Sequence, residues 1–152
     1  MRFEFVIEIV PDEKEGIRVP ACTEGALRVL IGDRLFLEAD GVLLVEFAIA
    51  LQEWLGELER EGVLDLHYAS MDFEEEPISA LLYDPAIERF QPEAVWATGA
   101  AVPISVDDAK SAASSFVWRL GSELAEDHSI DLDAVLVANC RAPSELSRAR
   151  QQ

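Results

Sequence analysis

The apolar repeat of this chain changes at Gly41 from 2.0 to about 3.6 residues, and that change confines it to mixed architectures. Before it, Phe3, Phe5, Ile7 and Ile9 fall on one side of the backbone and Arg2, Glu4 and Glu8 on the other, the alternation of a half-buried strand. After it, Leu44, Phe47, Ala48, Leu51, Leu55 and Leu58 recur at helical spacing, with Glu46, Glu53, Glu57 and Glu61 opposite. Neither an all-helical bundle nor an all-strand sandwich accommodates both patterns.

The remaining signals fill in the order. A charged loop over 11–20 leads to two apolar runs, 26–31 and 34–39, flanking Gly32-Asp33, a two-residue hairpin signal. Gly62 stops the helix, and 63–68 alternates again as a strand. The acidic turn 72–77 precedes a second hairpin, 78–83 with 87–90 about Asp84-Pro85-Ala86, and 94–98 reads as a last strand. Ser105 is placed to cap a second helix, with Asp107 and Asp108 in its first turn and a core stripe of Ala109, Ala112, Ala113, Phe116, Val117, Leu120 and Leu124. Residues 130–139 fit a short helix or a strand equally well. The expectation is an α+β fold, an antiparallel sheet of about six to seven strands with two main helices packed on one face. Residues 1–140 form one domain, and 141–152 form a disordered basic tail carrying Arg141, Arg148 and Arg150.

Charge narrows the partners. Thirty Asp and Glu oppose twelve Lys and Arg, a formal charge of −18. Such a surface repels phosphate, so nucleic acid is not an expected partner, and it steers basic proteins inward. Adaptation to high salt, or plain compositional bias, yields the same numbers. The longest apolar stretch, 42–58, is broken by Glu46, Gln52, Glu53 and Gly56, so no membrane span is expected. The segment from Met1 to Phe5 lacks the pattern of a secretory signal, which together with unpatterned, reduced Cys22 and Cys140 points to a cytoplasmic protein.

Catalytic signatures are sparse. The eight glycines form no phosphate cradle, and there is no GxSxG elbow. His67, beside Asp65 and near Asp72, could serve a metal site or a general base, or simply face solvent among acids. His128 closes the second helix near its last carbonyls. The carboxylate run at 72–76 lacks the alternating ligands and central glycine of an EF-hand. No cofactor is called for, and an enzyme is not the expectation.

Surfaces carry more information. Met71 and Phe73 stand among Asp72, Glu74, Glu75 and Glu76, an apolar anchor ringed by carboxylates that suits a basic protein, unless both tuck inward. Trp118 lies among Ser111, Ser114, Ser115 and Ser122, off the inward stripe of its helix. There it serves as an interface anchor or as a ring lying across a neighbouring segment. Trp54 is nearer the core stripe of its helix, and Trp96 sits between core and surface. The element order, with the stretches Tyr68-Ala69-Ser70-Met71-Asp72-Phe73-Glu74-Glu75-Glu76-Pro77 and Pro103-Ile104-Ser105-Val106-Asp107-Asp108, resembles small bacterial domains of the immunity-protein kind. That resemblance implies stoichiometric inhibition of a secreted toxin and assigns no residue a role. Three readings follow: an acidic module binding a basic toxin or nuclease, a homo-oligomeric assembly component, and a metal-binding protein or enzyme using Asp65, His67 and Asp72.

Overall fold

A computed structural model describes residues 1–70 and 72–140. Strands β1 (Arg2–Ile9), β2 (Glu24–Ile31) and β3 (Arg34–Leu43) form an antiparallel meander. Gly32 and Asp33 take left-handed φ values of 56° and 62°, the geometry that lets a two-residue turn follow the twist of its strands. Gly25 is needed for close approach, since a Cβ there would lie 1.9 Å from the carbonyl oxygen of Val6. From the end of the expected loop onward, residues Arg18–Cys22 form a short helix, α1, fastened by the Thr23 hydroxyl donating to the Val19 carbonyl at 2.6 Å.

β3 runs without a linker into α2 (Leu44–Glu61), whose first amide, on Leu44, donates to the Thr23 carbonyl in place of a side-chain cap. Four further strands follow: β4 (Leu66–Tyr68), β5 (Ser79–Asp84), β6 (Arg89–Glu93) and β7 (Ile104–Ser105), paired in that order and all antiparallel. Then α3 (Val106–His128) begins where expected, with the Ser105 hydroxyl accepting from the Asp108 amide at 3.1 Å. Residues 130–139 resolve as a helix, α4 (Leu132–Asn139), capped by Asp131. The basic tail lies outside the described residues.

Among the described residues the expected single sheet is therefore two sheets, of three and four strands, and four helices accompany them rather than two. The reason is local. The run at 94–98 makes one bridge, Leu37 to Ala97, and the amides of Thr98 and of the following Gly99 both go to the Phe36 carbonyl, so no ladder joins the sheets. Gly99 lies so close to β3 that a Cβ would sit 2.2 Å from the Leu35 oxygen. The expected strand at 63–68 also shortens to three residues, because the Leu64 carbonyl accepts from the Trp54 indole at 3.0 Å instead of entering a ladder.

What unites the sheets is the helical layer and an aromatic cluster within it. The Phe47 ring of α2 lies 5.4 Å from Phe3 of β1, 5.1 Å from Phe116 of α3 and 4.8 Å from Tyr68 of β4. The buried Tyr68 hydroxyl donates to Glu46 at 2.8 Å. Burial, and then the neighbouring Glu46 carboxylate, push the phenol's pKa well above its usual value.

Phe47→Ala is expected to cost about 3–5 kcal/mol in urea unfolding, because a fully buried ring shared by both sheets leaves a cavity that neither can close alone. Tyr68 supplies a pH prediction. Below pH of about 10 the folded and unfolded chains both hold its proton; above that, the unfolded chain releases it while the fold retains it, so stability falls. Tyr68→Phe should remove that part of the alkaline decline, and an unchanged alkaline slope in the variant contradicts the buried phenol.

Candidate functional site

Helices α2 and α3 pack against each other, and residues of both line a groove of about 730 Å³. The wall from α2 consists of Gln52, Leu55, Gly56 and Glu59, spaced i, i+3, i+4 and i+7, which is one face of a helix. That from α3 runs from Lys110 through Ser114, Val117, Trp118, Gly121 and Ser122 to Ala125. The segment from Ser129 to Asp133 closes one side.

The turn into α4 explains how that side is built. Ser129 adopts a left-handed φ of 56°, its amide and that of Ile130 both return to the Leu124 carbonyl, and Ile130 is buried just beyond. This stop reverses the chain, and the Asp131 cap starts α4 at once, so that α4 crosses both α3 and α2. Leu132 then seats against Gly121, where a Cβ would come within 3.4 Å of the leucine methyl.

Trp118 stands in this groove with 72% of its surface exposed, whereas Trp54 is 4% exposed and packs 5.7 Å from Phe90. Of the two alternatives for Trp118, the ring does not lie covered beneath a described segment. Around it, the carboxylates of Glu59, Asp131 and Asp133 face one ammonium, Lys110. The result is a partly apolar trough with an aromatic side chain in reach of solvent and a negative margin. Chemically it can receive apolar side chains and hold cationic ones, over the indole face or against the carboxylates.

The other sequence-derived positions fall elsewhere. Phe73 is half-buried, edge-on to Trp96 at 5.0 Å, while Asp72, Glu74, Glu75 and Glu76 are exposed and Met71 lies outside the described residues. No residue of the 72–76 loop lines the groove, so the fold separates that loop from Trp118. Asp65 accepts from the Tyr83 amide at 2.7 Å, and exposed His67 lies 3.6 Å from Glu76 rather than forming a site with Asp65 and Asp72. Among the described residues no group of three or more His, Cys, Asp or Glu could hold a metal ion. Cys22 and Cys140 are free thiols, and burial, followed by the charge of Glu53, raises the Cys140 pKa.

Sequence reasoning missed the α2 wall and the α4 side. Leu55 counts as core by spacing, yet it is half-buried and lines the groove, because the helix is rotated to bury Trp54 instead. The available signal was the second helical series, Gln52-Leu55-Gly56-Glu59, beside the core stripe.

A family described as Domain of unknown function (DUF7878) matches residues 2–126. No curated protein and no solved structure matches the chain. The immunity-protein resemblance finds no counterpart in these comparisons, and none of the described helices is long and apolar enough to cross a membrane.

Trp118→Phe is expected to remove the largest share of the acrylamide quenching of the intrinsic fluorescence, since Trp54 is buried and Trp96 half-buried, while shifting unfolding stability by less than about 0.5 kcal/mol. Quenching that survives the substitution unchanged contradicts the exposed placement.

Proposed function

The chain belongs to the DUF7878 family, and from that footing we propose that it is an acidic protein-binding module whose groove between α2, α3 and α4 receives a basic protein partner. The observation that carries the reading is the 72% exposed Trp118 standing in an open groove that is bordered by an excess of carboxylates. A large aromatic in that setting is the residue type that dominates interface energetics. The whole-molecule charge of −18 adds steering at longer range.

Charge also selects among occupants. A second copy would bring the same carboxylates against their own kind, which disfavours the assembly-component reading at this surface. Anionic lipid and nucleic acid meet the same repulsion. An immunity-type inhibitor of a toxin or nuclease is one form this binding can take, supported by the charge alone. The metal or enzyme reading would need donors that Asp65, His67 and Asp72 do not bring together.

The test is partner recovery with wild type and two variants. A basic partner retained by wild type and by Glu74→Lys/Glu75→Lys, and weakened roughly thirtyfold by Trp118→Ala, supports the reading; that loss corresponds to about 2 kcal/mol. Its association should slow as ionic strength passes about 0.1 M, where the Debye length is about 10 Å. A partner that is lost with the loop variant but indifferent to Trp118 overturns it.

A further inference from the structure

The shape of the groove says more than its charge. On α3 the lining positions 110, 114, 117, 121 and 125 recur at intervals of three and four, a continuous helical face. They extend about 22 Å along the axis, the length of a four-turn helix. The short facing series on α2 keeps the same interval, and it is interrupted by Gly56, where a Cβ would meet no atom within 4 Å. Small residues at Gly56, Ser114, Gly121 and Ser122 keep the floor low enough for another backbone to come close.

The chain's own α4 shows how the surface is filled. Its Leu132, buried to 3% exposure, enters the α3 face at Gly121 as a knob enters a hole. No other described segment covers the rest of the groove, where Leu55 of α2 and Val117 of α3 are half-buried and Trp118 is exposed beside them.

We propose that the groove is a helix-docking site, whose occupant is an amphipathic α-helix of about four turns with apolar residues at i, i+3/i+4 and i+7 flanked by Arg and Lys. The apolar stripe lies on Leu55, Gly56 and Val117, continuing the contact that Leu132 already makes at Gly121. The flanking cations meet Glu59, Asp131 and Asp133, and one stacks on Trp118. The inference rests on the basic-partner reading and adds the conformation and spacing of what binds.

The probe is a 16-residue peptide with Leu at the stripe positions and Arg flanking them, held helical by a side-chain staple, and labelled for fluorescence anisotropy. Its counterpart has the same charges and leucines with two central prolines, which prevent a helix. The stapled peptide should bind at least tenfold more tightly than the proline peptide. Gly56→Leu, which extends a side chain into the open groove, should weaken the stapled peptide tenfold or more while the melting temperature holds or rises, because a glycine leaves the helix interior. Trp118→Ala should weaken it similarly. Equal binding of both peptides, with the Trp118 dependence intact, overturns the helical occupant and leaves the basic-partner reading standing. Binding of neither, or binding indifferent to both Gly56→Leu and Trp118→Ala, overturns the docking site itself.

Discussion

The contact on which the molecule depends is the one between the Phe47 ring and its three aromatic neighbours. The two small sheets are joined by no ladder, the one bridge reaching from Leu37 of β3 only to Ala97 in the segment between β6 and β7, so their union falls to side chains. Phe47 reaches Phe3 in the first sheet, Tyr68 in the second and Phe116 in the partner helix, all between 4.8 and 5.4 Å. Edge-on and tilted aromatic pairs of this kind contribute about 0.5–1.5 kcal/mol each beyond the area they bury. The hydrogen bond from Tyr68 to Glu46, one residue before the hub, fixes the same junction from its polar side.

That junction also holds α2 against α3, the two helices that line the groove. The inner faces of the two helices are committed to the cluster and its surroundings, with Ala109, Ala112 and Ala113 permitting close packing beneath Phe116. The adjoining faces carry small residues at Gly56, Ser114, Gly121 and Ser122 beside Leu55, Val117 and the exposed Trp118, and α4 covers part of them. A tightly packed interior next to an incompletely covered helical surface is the arrangement expected where binding is built on rigid elements rather than loops. The acidic loop at 72–76 has a different character: its one described apolar residue, Phe73, is tied to Trp96, and its carboxylates face solvent.

Much of the fold was legible because strong local signals agreed with their surroundings. Gly32-Asp33 specified its hairpin, Ser105 its helix start, and the shift of period at Gly41 located α2 within a few residues. The partition into two sheets was not legible, because 94–98 has strand-like composition and only the path of the chain past Phe36 reduces it to one bridge. α4 was ambiguous because its sequence, Leu-Asp-Ala-Val-Leu-Val-Ala-Asn, is apolar on nearly every side; the Asp131 cap decides in favour of helix. At the site, Trp118 was visible as an oddity on a polar face. Its setting was not, since the groove joins residues 52–59 to residues 110–133, distant in sequence, and the 72–76 run is marked by charge density alone.

Amide chemical-shift mapping tests the central claim most directly, with a basic amphipathic helix titrated into isotopically labelled protein. Shifts are expected to be confined to residues 52–59 of α2, 110–125 of α3 and the 129–133 turn, together with the Trp118 indole signal. Shifts centred on 72–76, or scattered evenly over every acidic surface, would contradict that claim.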